Sequence, residues 1–495
     1  MIVDTSNGKV TGTEEGDALL FAGIPFAAPP VGERRFAAPQ PVEAWKGTWD
    51  ATWFRPAPVQ QSSFLVSEVL PTFDVDNDKS EDCLYLNVWT PAADDARRPV
   101  LFWLYGGGFG YGSACQPWYH GHRLAVREDV VVVGANYRVG ALGFAYLAEL
   151  FPDQARRVTA NAGLLDQAAA LQWVRDNIAG FGGDPDNVTV FGESAGGMSV
   201  SCLLALPAAD GLFHKAVAQS CVSYRSLGIY DTPADATATT RMLLDEVGAT
   251  TFDELMAAPA DDILAAQVRV AKARTEVGLA FQPVVDGAVL PVQPVDAVAG
   301  GASSDVAFMV GTTRDELKLH VHAALLESQQ TSALVPGAGS GQIDPEVMAA
   351  YQATRPDADA MEVVLAMETD RYVRIPSIRF AEAHAPHDAP TYLYLYSWES
   401  PTAPLGACHT IELPFLFGCT DLPGMAEFIG TGPEVEAMTE ATMGAWGSFA
   451  RTGRARPDWP EYDLDTRATM VFDLSGCHVE PDALGAERQA WEGRI

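Results

Sequence analysis

Short runs of β-branched and aromatic residues alternate along the chain with longer stretches in which apolar positions return every three or four residues. The first pattern predicts strands at 100–105, 130–137, 188–191, 216–219, 306–310 and 392–397, each bounded by Gly, Pro, Asn or Asp. The second is clearest at Leu164, Ala168, Leu171, Val174 and Ile178, a spacing that puts them on one face of a helix ending at Gly180 to Gly183. The Gly-Gly-Asp-Pro-Asp-Asn turn at 182–187 then feeds the strand beginning at Val188. Strands alternating with helices predict an α/β fold, a large, mostly parallel central sheet flanked by helices on both faces.

Departures from this rhythm place the rest of the chain. Residues 1–50 read as a preceding β-rich segment. Residues 231–280 and 321–385, rich in Ala, Leu, Met and acidic side chains, read as helical insertions that form a cap or side walls. Within the second, 337–341 reads as a flexible loop, and no repeat of about 20 to 50 residues is visible. The expectation is one body spanning 1–495 with these insertions, since α/β enzymes often exceed the usual length of a single domain.

Charge removes several classes of partner. With 32 basic against 65 acidic residues the net charge is −33, which repels nucleic-acid phosphates and anionic lipid. The acidity itself reads as a solvated surface that keeps the protein soluble. The N-terminus shows no basic and apolar leader pattern, and no stretch approaches the roughly 18 apolar residues of a membrane span, so a cytoplasmic protein without membrane contact is expected. A monomer or weak homodimer is the expected assembly.

Metal and disulfide chemistry is equally unsupported. Seven cysteines are scattered, odd in number and without CxxC spacing, and read as buried thiols. Asp74, Asp76 and Asp78 imitate the start of a calcium loop, but Lys79 and Tyr85 stand where that loop needs Gly and Glu. The His120/His122 and His320/His322 pairs lack a further ligand cluster and read as surface-loop histidines. Asn187 opens an N-x-T sequon that reads as an ordinary loop-to-strand sequence. Neither a metal nor a cofactor is expected.

Two motifs carry chemistry. Gly192-Glu193-Ser194-Ala195-Gly196-Gly197 lies between a predicted strand and a helix expected to begin near Met198. A G-x-S-x-G turn forces its Ser into a strained conformation that presents the hydroxyl at the sheet's edge, which demands small neighbours. Gly106-Gly107-Gly108-Phe109, directly after the 100–105 strand, matches the glycine-rich loop whose amides serve a developing oxyanion at about 3 Å. The pair points to an α/β-hydrolase with Ser194 as nucleophile. Spacing alone leaves the base open among nine histidines and the acid among many carboxylates.

The stretch Ser80-Glu81-Asp82-Cys83-Leu84-Tyr85-Leu86-Asn87, residues 105–109, Asn136-Tyr137-Arg138-Val139-Gly140, Gly163-Leu164-Leu165-Asp166-Gln167 and residues 181–197 resemble the type-B carboxylesterase family, which includes cholinesterases and bacterial p-nitrobenzyl esterases. The resemblance runs from Gly23-Ile24-Pro25-Phe26 to Trp459-Pro460. It implies Glu316, in Gly311-Thr312-Thr313-Arg314-Asp315-Glu316, as the acid and His409, opening His409-Thr410-Ile411-Glu412-Leu413-Pro414-Phe415, as the base. Asp315 stays as the rival acid. The same resemblance implies ion pairs of Arg35 with Glu81 and of Arg138 with Asp166, and a second contact from Ser220 to Glu316. Cys83 lacks the disulfide partner of secreted relatives, since Pro58 stands there.

The implied activity is hydrolysis of small to medium, mainly apolar carboxylic esters by a Ser-His-Glu triad, with Gly107, Gly108 and Ala195 amides as the oxyanion hole. Phe109, Tyr111, Glu193, Leu413 and Phe415 are the candidate pocket residues. An amidase or carbamate hydrolase of the same fold, and a non-catalytic cholinesterase-like binding protein, are the alternatives.

Overall fold

The structure is a computed structural model that describes residues 1–61, 69–73, 77–221, 231–274, 279–328 and 344–495, with side chains throughout except at 324–328. Its strands in chain order are β1 (Ile2–Thr5), β2 (Gly8–Thr11), β3 (Thr13–Glu15), β4 (Ala18–Pro25), β5 (Thr48–Asp50), β6 (Tyr85–Thr90) and β7 (Arg98–Leu104). There follow β8 (Val131–Ala135), β9 (Gly183–Glu193), β10 (Lys215–Gln219), β11 (Ala307–Thr313), β12 (Thr391–Tyr396), β13 (Ala468–Asp473) and β14 (Gly476–Pro481). Among the described residues they build a small sheet, β1-β2-β5, and an eleven-stranded sheet, β14-β13-β12-β11-β10-β9-β7-β8-β6-β4-β3.

The middle of the large sheet, from β8 to β13, is parallel, and antiparallel pairs close both edges. Strands β8, β10, β11 and β12 are buried along their whole length. That follows from helices on both faces, and it is why these segments read as continuous apolar runs rather than as alternation. The helix Ala162–Asn177 covers β9 on one side, as its three-to-four spacing predicts, and Pro433–Thr452 packs against β7 and β9.

Strand order decides where a site can form. β8 lies on one side of β7 and β9 on the other, so the direction of winding reverses between β7 and β9. The crevice outside the carboxyl ends of strands at such a reversal is where α/β sheets take ligands.

The six predicted strands are present with ends shifted by a few residues, and β9 differs most. It starts at Gly183: Arg98 pairs with Gly183, and the register then slips so that Val100 meets Val188, leaving 184–187 as a bulge within the strand. Arg97 holds that bulge through the carboxylates of Asp184 and Asp186. In the expected insertions, Pro233–Val247, Phe252–Ala257 and Ala260–Ala273 are helices, the first packed on the third. The stretch 321–385 contains Pro345–Thr354 and Ala360–Thr369, but its last helix, Ile375–His384, packs on β11 and β12 and therefore belongs to the sheet's cover. The 337–341 loop and Asp74 and Asp76 lie outside the described residues.

Both expected ion pairs form. Arg35 forks onto Glu81 at 2.5 and 2.7 Å, and Arg138 meets Asp166 at 2.7 and 2.8 Å with both side chains buried. Cys83 is a buried free thiol. Among the described residues no helix is long and apolar enough to cross a membrane, and no group of three or more His, Cys, Asp or Glu is arranged to hold a metal ion.

Candidate active site

The sharpest local feature stands at the end of β9. Ser194 has φ 57° and ψ −123°, a conformation a residue with a side chain holds only when its surroundings over-determine it. They do so here. The Ser194 N–H donates to the Gln219 carbonyl at 3.0 Å, its own carbonyl accepts from Met198 N–H at 2.8 Å, and the helix Ala195–Leu203 starts on the next residue. That start is earlier than the hydrophobic pattern suggested, because Gly196 can be helical only by pressing on β7. A Cβ at Gly196 would sit 1.9 Å from the Leu104 carbonyl oxygen. Between Val188 and Leu204, Ser194 is the one residue that is not buried.

The glycine loop after β7 faces it. A Cβ on Gly106 would come within 3.0 Å of Ser194 Cβ, and Gly107 and Gly108 are partly accessible. The loop is held at both ends. At its start Tyr105 stacks on Tyr137 with ring centres 4.3 Å apart, Tyr137 Oη donating to the Tyr105 carbonyl at 2.7 Å and Tyr105 Oη to the Tyr137 carbonyl at 3.0 Å. At its end the buried Gln60 amide donates to the Gly112 carbonyl at 2.8 Å and accepts from Gly112 N–H at 2.7 Å.

Glu316 and His409 meet although 93 residues separate them. Glu316 opens the helix Glu316–Ser328 just after β11; its Oε1 accepts from Thr313 N–H at 2.8 Å, and its Oε2 lies 2.5 Å from His409 Nδ1. His409 arrives on the loop that follows β12. Its other nitrogen, Nε2, stands 3.0 Å from Glu193 Oε1, without the alignment of a hydrogen bond. Burial pulls the His409 pKa down, but the Glu193 and Glu316 carboxylates outweigh it and hold the imidazole up at about 9. Glu193 and Glu412 are in turn raised, chiefly by burial, against the attraction of His409. Gln219 Nε2 donates to Glu412 Oε1 at 3.2 Å, while Glu412 Oε2 has no partner among the described residues.

Asp315 does not touch His409. Its carboxylate turns to Arg314, Lys318 and the Ala407 N–H. Nor does Ser220 Oγ bond Glu316; it has no partner among the described residues, and Thr313 N–H takes the free oxygen of Glu316 instead.

Of the candidate pocket residues, Glu193 lies against His409 and Tyr111 is half-buried at the glycine loop. Phe109, Leu413 and Phe415 are fully buried. Phe109 packs edge-on to Phe144, and Phe415 packs against Tyr396 and Trp398. Apolar residues beside a catalytic loop are as useful to the core as to a pocket, and sequence does not separate the two uses.

Two neighbours were not foreseen. His320 stands on a helix, not on a surface loop; one turn beyond Glu316, its ring centre is 5.0 Å from that of His409 and its side chain stays accessible. Leu279 comes within 3.2 Å of where a Cβ on Gly108 would lie, an approach made by a segment 171 positions away that no local signal announces. His120 bonds Glu15 through Nδ1 at 2.6 Å, so that pair is a structural contact.

Residues 1–491 match the profile of the Carboxylesterase family. The chain is 40% identical over 505 aligned positions to the para-nitrobenzyl esterase of Bacillus subtilis (strain 168), covering 99% of this chain and 98% of that one. It is 33% identical to the phenmedipham hydrolase of Pseudarthrobacter oxydans, with 97% of each covered. Among solved structures it is similar to the Geobacillus stearothermophilus carboxylesterase Est55, with a TM-score of 0.87, 40% identity and 99% of both chains covered.

Proposed function

The chain belongs to the carboxylesterase family and is a serine carboxylic ester hydrolase, and on that premise we propose that it cleaves small to medium, mainly apolar esters through Ser194, His409 and Glu316. The observation that carries this reading is the strained backbone of Ser194, the one residue from Val188 to Leu204 that is not buried.

Neutral His409 takes the Ser194 proton as the hydroxyl oxygen attacks the ester carbonyl. The carbonyl oxygen becomes an oxyanion facing the Gly107, Gly108 and Ala195 amides. Glu316 on Nδ1 fixes the ring's tautomer and stabilises the imidazolium. His409 then gives its proton to the departing alcohol, leaving Ser194 acylated. Water, deprotonated by the same imidazole, attacks the acyl group, and the proton returns to Ser194 as the acid leaves. Leu279 and Tyr111 beside the glycine loop favour apolar substrate groups.

Ser194→Ala should lower hydrolysis of a p-nitrophenyl acyl ester by more than about a thousandfold without a shift in melting temperature. Mass spectrometry after treatment with an organophosphate should find one adduct, on Ser194. Retained turnover in the variant, or an adduct elsewhere, overturns the assignment. Matched ester and amide substrates separate an esterase from an amidase.

A further inference from the structure

Asp315, set beside the proposed acid yet pointing away from it, occupies the junction between the two loops that must stay in register for Glu316 to reach His409. Its own N–H donates to the Ala407 carbonyl at 2.9 Å, and its Oδ2 accepts from the Ala407 N–H at 2.9 Å. One residue thus closes a two-bond ring with the backbone two positions before His409. The carboxylate is buried and fixed from behind by Arg314 at 2.8 Å and Lys318 at 3.2 Å. Arg314 reaches on to Glu399 at 2.6 Å, and its N–H donates to the Tyr396 carbonyl at the end of β12, so the anchor is tied to the strand that launches the histidine loop.

The approach is close enough to constrain sequence. Gly406 has φ +58°, and a Cβ there would sit 2.7 Å from Asp315 Oδ2. Beyond this junction the surface falls into an open cavity of about 660 Å³ lined by Arg314, Lys318, Arg355 and Glu487 among others.

We propose that Asp315 is a positioning residue: by clamping Ala407 it sets the distance between Glu316 and His409. The inference rests on the triad reading. Misplacing a catalytic group by about 1 Å costs on the order of a hundredfold in rate. A slackened loop also weakens the Glu316 contact that helps hold the proton on His409, so the neutral base should become available at lower pH.

The test measures kcat and KM against pH for a p-nitrophenyl acyl ester, each rate divided by the number of sites titrated with an organophosphate. Asp315→Ala should lower kcat about tenfold to a hundredfold with KM within threefold, and move the acid limb of the kcat profile to lower pH. Asp315→Asn, which keeps an oxygen for the Ala407 N–H, should stay within about threefold of the parent in kcat and keep its acid limb. Arg355→Ala breaks the pair with Glu487 in the same cavity without touching Ala407 and should change neither quantity. An Asp315→Ala protein with parental kcat and pH profile overturns the clamp. So does an Asp315→Asn protein as slow as Asp315→Ala, or an Arg355→Ala protein with the same shift. Ser194→Ala run alongside keeps the readings apart: turnover there defeats the triad itself, whereas a dead Ser194→Ala beside an unaffected Asp315→Ala defeats only the clamp.

Discussion

At the scale of single residues, the imidazole of His409 is the most constrained group in the site, because carboxylates flank both of its nitrogens. Glu193 is the leading charge that raises its pKa. In the proposed triad the base must be neutral to accept the Ser194 proton, so the rate should climb with pH toward about 9 and fall away below it as the ring protonates. Replacing Glu193 with Gln removes negative charge that stabilises the imidazolium, which lowers the His409 pKa. The acid limb of kcat/KM in Glu193→Gln should therefore move to lower pH by about one unit. A limb unmoved, or moved upward, would show that Glu193 does not set the charge state of His409. Sequence identified both residues by motif and resemblance but said nothing of their contact, which depends on how a loop after β12 comes to rest over the end of β9.

Elements act through their ends. The three glycines after β7 carry no side chains with which to hold themselves, so the loop's shape is borrowed from the stacked Tyr105 and Tyr137, from the Gln60 amide and from Phe109 packed on Phe144. Tyr137→Phe keeps the stack but leaves the buried Tyr105 carbonyl without the hydroxyl it accepts from. The cost should be about 1–3 kcal/mol of stability, read by urea unfolding, together with a fall of up to about tenfold in kcat as the loop loosens. A variant with unchanged unfolding and unchanged kcat would mean that the stacking alone secures the loop. Strands and helices at this scale were legible because burial on both faces or on one face leaves a periodic trace. The bulge at 184–187 was not, since Gly-Gly-Asp-Pro-Asp-Asn describes a turn equally well, and only the pairing of Arg98 with Gly183 makes it strand.

For the whole molecule the governing quantity is a net charge of −33. Acidic groups spread over one surface repel each other in the folded state, and added salt screens separations beyond roughly 8–10 Å. The melting temperature should therefore rise by about 2–5 °C between low salt and half-molar sodium chloride, as differential scanning fluorimetry would read it. A fall would mean that the ion pairs outweigh the repulsion. Strand and helix rhythm, the Ser194 turn, the glycine loop and the acidity are properties of near neighbours or of sums, and these the sequence by itself determined. Side-chain partnership is different: Glu316 with His409, Asp315 with Ala407, and Leu279 against Gly108 each join segments 92 or more positions apart. Local propensity carries no record of such meetings. The tertiary structure alone decided them, because they follow from which strand lies beside which and how far each loop travels before it returns.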